Sequence, residues 1–229
     1  MIEKREKVLN SASCKENVFA YGLNFYKLFW IFLIGSFFGV VVETLWCALI
    51  QHKFEIRWGL IYGPFNPIYG FGAVIMTVCL NKLSFLRDLW IFLICMFIGA
   101  SFEYICSLFQ EIAFNTVSWD YSVIDSNFSG RTSILFAFFW GVLGLVWVKD
   151  TYPRLSRLIE KIPKKIGTIL TWILFVYMIF NMGISALAVW RQAQRADGIE
   201  SDSAITTFLD QNYTDDFLKV MYPNMVVVK

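Results

Sequence analysis

Five apolar stretches, separated by short polar connections, organise the 229 residues. They run from Leu28 to Ile50, Ile68 to Leu86, Leu89 to Phe109, Thr132 to Val148 and Ile166 to Trp190. Crossing the hydrocarbon core of a bilayer as an α-helix takes about 17–25 predominantly apolar residues, and each stretch meets that length. The second and fourth carry the weakest signal: the second is rich in glycine and holds Asn81 and Lys82 near its end, and the fourth is short. Trp30, Trp90, Trp147 and Trp190 stand near span ends, where an amphipathic indole suits the interface. The first run starts only near Leu28, is too long for a signal-peptide core and ends without a small-residue cleavage site, so it reads as a retained anchor. The pattern predicts an all-α, polytopic membrane protein of about five transmembrane helices.

The first and third spans repeat one another. Trp30 to Glu43 and Trp90 to Glu103 align without a gap, and eight of the fourteen positions are identical. Apolar low complexity accounts for part of that match. It does not account for a glycine four residues before a glutamate in both copies, Gly39 with Glu43 and Gly99 with Glu103. The expectation is a parallel internal repeat of two helix-loop-helix units, 28–86 and 89–148, since an even number of spans separates the copies.

Basic residues set the expected orientation, because cytoplasmic segments carry the excess of Lys and Arg. With the N-terminus inside, thirteen fall on the inner side and seven on the outer. The division that follows is a cytoplasmic segment 1–27, a membrane domain 28–148, a basic cytoplasmic loop 149–165, a fifth helix 166–190 and an acidic extracytoplasmic tail 191–229. The protein is thus expected in a cell membrane as a multi-pass protein in contact with lipid.

Composition agrees: 57% hydrophobic, 17% charged, with a mean hydropathy of +0.56. A net charge of +2, with the basic residues in loops and no stripe interleaved with aromatics, excludes nucleic acid as a partner. Cys14, Cys47, Cys79, Cys95 and Cys106 lack paired C-x-x-C spacing, so they read as small buried hydrophobes; neither a metal nor a cofactor is called for.

The chemistry to be explained lies in the repeat. Positions 35, 39 and 43, like 95, 99 and 103, recur every fourth residue and share one helical face. Glycines there let helices approach closely, with a carboxylate just above the contact. An ionisable group within a span costs roughly 2.5–3.5 kcal/mol at mid-helix and ordinarily faces protein or a water-filled cavity. Each Glu has two readings, a ligand-facing group or a helix-orienting one that snorkels or pairs with a loop Arg. The loop from Arg57 to Gly70 has two prolines and several glycines, and the one from Trp119 to Arg131 is similarly rich in turn formers. Arg131 opens the fourth span where the helix dipole disfavours a cation, so it needs an acidic partner, with Asp120, Glu103 and Glu111 nearest in sequence. His52 reads as an interfacial residue and Asn181 as an interhelical hydrogen bond. The substrate-binding candidates are Glu43, Glu103, Asp120 and Arg131, joined by the loop residues Arg57, Tyr62, Tyr69, Trp119, Tyr121 and Asn127. The expectation is that the first four converge on one outward-opening polar pocket beneath the loop from Gly59 to Gly70.

From about Phe29 to Lys149 the chain resembles the CmpB-like family of bacterial membrane proteins, ABC-transporter type IV permeases. The resemblance rests on Gly39-x-x-x-Glu43, Tyr62-Gly63-Pro64-x-x-Pro67-Ile68-Tyr69-Gly70, Glu103-Tyr104, Trp119-Asp120-Tyr121-Ser122, Asn127-x-x-Gly130-Arg131 and Trp140-Gly141. The family has Asn-Arg-Gly ahead of Tyr-Gly-Pro; here Arg57-Trp58-Gly59 puts Arg57 in the Asn place. The resemblance implies transport. The chain contains no G-x-x-x-x-G-K-[ST] phosphate loop, so an ATPase would be a separate chain. The loop 149–165 would meet that ATPase or anionic lipid. Two other functions stay open on the residues alone: an intramembrane enzyme acting on a lipid or isoprenoid head group, and a structural or regulatory membrane protein.

Overall fold

The computed structural model describes residues 18–50, 52 and 57–228. Lys4, Arg5, Lys7, Cys14, Lys15 and Lys53, and with them most of the segment 1–27, lie outside the described residues. Among those described, the chain is mostly helical: α1 (Phe25–Ile50), α2 (Pro67–Leu80), α3 (Asp88–Phe114), α4 (Ile134–Val146), α5 (Tyr152–Glu160), α6 (Lys164–Ala196), α7 (Ala204–Asn212) and α8 (Asp215–Met221). A π-helical turn, Trp147–Thr151, joins α4 to α5. Four two-residue strands accompany them. β1 (Thr116–Val117) pairs antiparallel with β4 (Val226–Val227), and β2 (Asn127–Phe128) with β3 (Thr132–Ser133).

Among the described residues, four helical rods are long and apolar enough to cross a membrane: Phe25–Leu49, Asp88–Phe114, Ile134–Glu160 and Lys164–Ala196. The third of these runs through the π turn, so the expected basic loop 149–165 is largely a helical continuation of the fourth span. The second expected span differs more. Instead of a helix over Ile68 to Leu86, α2 has only 14 residues, about 21 Å at 1.5 Å per residue. Pro67 starts it at a position where the missing N–H costs nothing, and Asn66 caps it by accepting from the Ile68 amide at 3.1 Å.

Call the end that holds Phe25, Leu80, Asp88 and Lys164 the lower end of the bundle. The Asn66 amide donates to the Ser36 carbonyl at 3.0 Å, and Ser36 stands eleven residues along α1 from Phe25, roughly 16 Å up. So α2 occupies only the lower half of the bundle, and the irregular segment before it fills the upper half. Backbone without helical bonds is tolerated at such depth only when protein satisfies it. Here α6 does so: Asn181 accepts from the Tyr62 amide at 3.1 Å and donates back to the Tyr62 carbonyl, Tyr177 donates to that same carbonyl at 2.8 Å, and Ser185 accepts from the Ile61 amide at 3.0 Å. Asn181, expected to bridge helices, holds a loop.

The two most extensively packed helix pairs are α3 with α4 and α1 with α2. Each has a glycine at the crossing. A Cβ on Gly39 would lie 2.2 Å from Cγ of Tyr69, and one on Gly99 would lie 2.3 Å from Cγ of Trp140. The two would also lie 2.3 and 2.4 Å, respectively, from the Cβ atoms of Tyr69 and Trp140, which no rotamer change moves away. Gly99→Ala should therefore lose roughly 1–3 kcal/mol, the usual cost of overpacking. A thermal midpoint in detergent within error of wild type would refute that contact.

The C-terminal segment is not an appendage. Leu209, Tyr213 and Leu218 of α7, α8 and their connection bury Ile61 and Ala188 in one apolar cluster, and β4 then reaches across to β1 beyond the top of α3. A capping box built by Ser203 and Thr206 starts α7.

Candidate functional site

Glu43 and Glu103 end as the centres of two small networks. Tyr69, two residues into α2, donates its hydroxyl to Glu43 Oε2 at 2.5 Å, and Arg57 Nη1 lies 3.8 Å from Oε1. Glu103 is buried and accepts from both sides, from the Tyr121 hydroxyl at 2.8 Å on Oε1 and from Thr132 Oγ1 at 2.8 Å on Oε2. The segment from Trp119 to Thr132 delivers both donors: it folds back down beside the upper turns of α3 so that Thr132 and Tyr121 meet Glu103. The Tyr121 ring stacks on Phe136 of α4, centroids 4.3 Å apart, which fixes its hydroxyl in place.

The structure does not bring Arg131 and Asp120 to these carboxylates. Arg131 forms its ion pair with Glu111, reaches Ser107 Oγ at 3.3 Å and lies 5.8 Å from the centre of the Tyr104 ring. Ser107 and Glu111 are one and two turns beyond Glu103, so the guanidinium sits above the carboxylate. The pairings expected for Arg131 with Asp120 or with the two glutamates are replaced by Glu111, the third candidate in sequence. Asp120 is exposed and closes its own turn, accepting from the amide and hydroxyl of Ser122. Those two bonds hold its carboxyl below the usual range, so it stays ionised. Gly130, with φ of +69°, packs against it; a Cβ there would lie 2.6 Å from Asp120 Oδ1.

The remaining candidates shape the loops. Trp119 donates its indole N–H to the Arg131 carbonyl at 2.9 Å. Asn127 donates to the Ile124 carbonyl at 2.6 Å and accepts from the Gly130 amide at 2.9 Å, which ties the β2–β3 hairpin. Tyr62 shares a 2.7 Å hydroxyl–hydroxyl bond with Tyr213 of the C-terminal segment. Burial and that bond push the Tyr213 phenol up to about 12, so it stays neutral. Sequence reasoning missed Thr132, Ser107 and Tyr213. For the first two, a signal existed: Ser107 is one turn above Glu103, and Thr132 adjoins Arg131. A cavity of about 110 Å³ lies elsewhere, at the lower end between Thr77, Leu80, Ser84, Trp147 and Tyr152. Among the described residues no cluster of His, Cys, Asp or Glu could hold a metal ion.

Apolar rods that cross a bilayer, with ionisable side chains enclosed between them, define a multi-pass, permease-like membrane protein. The chain belongs to the family described as Putative ABC-transporter type IV, whose sequence model matches residues 30–186. No curated protein and no solved structure matches it.

Proposed function

We propose that the chain is the membrane subunit of a permease driven by a separate ATPase, and that Glu43, Glu103, Tyr69, Tyr121, Thr132 and Arg57 form its substrate site. The observation that carries this reading is the pair of carboxylates, each in the upper half of a long helix and each held by a tyrosine hydroxyl. An ion pair that served only to orient helices would not need a phenol at both. Family membership supports transport, and the lack of a phosphate loop in these 229 residues supports a separate source of ATP hydrolysis. Arg131 and Asp120 belong to the rim of this site, above the carboxylates.

The same reading takes the site as the product of a duplication. Gly39 lies under Tyr69 and Gly35 under Ala73; Gly99 lies under Trp140 and Cys95 under Gly144. Two equivalent helix pairs would yield that correspondence. With the N-terminus in the cytoplasm, the upper end faces outward and the segment after Ala196 is extracytoplasmic. A cysteine at Ser201, in a background without native cysteines, should then react with an impermeant maleimide in intact cells. Reaction only after permeabilisation would reverse the orientation. Cross-linking in cells from the lower end should capture a chain that hydrolyses ATP, and repeated failure to capture one removes the separate ATPase from the proposal.

A further inference from the structure

The lower end carries a surface that the carboxylate site does not use. Lys27, at the foot of α1, is completely buried, and its ammonium donates to Glu160 at 2.7 Å, Ser156 Oγ at 2.5 Å and the Ser156 carbonyl at 3.1 Å. Those partners, with the buried Ile159, form one face of α5. Arg154, Arg157, Leu158 and Lys161 recur at the spacing of the opposite face, and all four are exposed. Lys164 and Lys165 extend the same run and are exposed as well. Only two acids lie between Lys149 and Lys165: Glu160 is taken by Lys27, and Asp150 pairs with Arg154. The buried lysine therefore fixes the roll of α5 and turns a cationic face away from the bundle.

We infer that this face, Arg154, Arg157, Lys161 and Lys165 around Leu158, binds the anionic head groups of membrane phospholipid. Three observations select lipid over an acidic soluble protein. α5 is the lower end of the rod Ile134–Glu160 and is followed after three residues by α6, which starts at Lys164, so it stays at head-group level. Leu158 is 59% exposed among the cations and Ile166 is 58% exposed just beyond them, apolar surface that the boundary of the hydrocarbon accepts. The charge is complementary to phosphodiesters, and each cation near an anionic surface is worth about a five-fold gain in binding. The inference stands independently of the carboxylate site.

The test is the unfolding midpoint of the full purified chain in neutral detergent, titrated with phosphatidylglycerol or phosphatidylcholine. A ligand that binds only the folded state raises the midpoint. Phosphatidylglycerol should raise it and phosphatidylcholine should not, and about 0.5 M salt should weaken the effect by screening. The triple variant Arg157→Gln, Lys161→Gln, Lys165→Gln should require roughly a hundredfold more phosphatidylglycerol for the same shift. Its side chains are exposed, so its midpoint without lipid should match wild type; if it does not, the salt dependence of the wild-type shift decides. Equal stabilisation by phosphatidylcholine, an unchanged response of the variant, or the same shift from free glycerol phosphate overturns the inference. So does a lipid-independent midpoint together with a cross-link from Lys161 to a soluble acidic chain, which would make this a protein-docking face.

Discussion

Cells in which Glu103→Gln replaces the wild-type protein should lose its activity by roughly ten- to hundredfold while keeping the same amount of folded chain. The loss matches the removal of a charge-assisted contact worth about 1.5–3 kcal/mol. The preserved fold follows from the geometry of the carboxylate. Glu103 accepts from Tyr121 and Thr132, one hydroxyl on each oxygen. A Gln carbonyl keeps one of these bonds, and its NH₂ faces a hydroxyl whose oxygen can turn to accept, so the folding cost is about 1 kcal/mol. Glu43→Gln should behave alike, since Tyr69 can still donate to the amide oxygen. Tyr121→Phe provides the contrast: it removes a donor but no charge, so its activity should fall between wild type and the Gln variants. Complementation of a deletion strain measures the activity, and the yield of monodisperse protein measures the fold. Low yield with normal activity per molecule would show that the carboxylates only orient helices.

Continuous apolar length made α1, α3 and α6 legible in the sequence, because a buried helix in lipid needs little beyond length and composition. The same criterion misread the second span. Leu83, Phe85 and Leu86 after it raise the hydropathy without being helical, and hydropathy does not register where the backbone hydrogen bonds of Ile61 and Tyr62, in the loop before it, go. The bonds went to Asn181 and Ser185 on a helix more than a hundred residues away, and no local pattern predicts that pairing. At the site, Glu43 and Glu103 stood out because charge in a span is costly. Arg131 was also conspicuous, yet its partner was decided by the segment from Trp119 to Thr132 folding back along α3. That puts Glu111 within reach and leaves Asp120 to its own turn. The C-terminal segment was read by its acidic charge alone. Its Ser203-x-x-Thr206 cap and the four-residue spacing of Arg191 and Arg195 were present in the sequence, but only the fold shows that Asp210 and Asp215 answer them.

Asp210→Asn should detach this segment from the bundle. Arg191 is 2% exposed and meets Asp210 through two bonds, Nε to Oδ1 at 2.9 Å and Nη2 to Oδ2 at 2.8 Å, while Arg195 Nη1 adds a third at 2.6 Å. Removing one partner of a buried pair costs about 3–5 kcal/mol because the other charge is left without compensation. Asp210 is 26% exposed, which places the change at the lower end, about 3 kcal/mol. The apolar contacts of Leu209, Tyr213 and Leu218 with Ile61 would then be too few to keep the segment docked, whereas the membrane-crossing rods meet these bonds only through Arg191 and Arg195 in the last turns of α6 and should stay packed. Acid should do the same to the wild type. Arg191 first, then Arg195, hold the Asp210 carboxyl at about 2, below its ordinary value of 3.8. A carboxyl depressed in the folded state contributes its stability fully above the ordinary value and loses it as the pH falls from about 4 through about 2. Hydrogen exchange over residues 204–221, corrected for the intrinsic rate at each pH, should show protection at pH 7, diminished protection near pH 2.5, and little at either pH in Asp210→Asn. If the variant keeps wild-type protection at pH 7, the Arg191–Asp210 pair does not hold the segment in place.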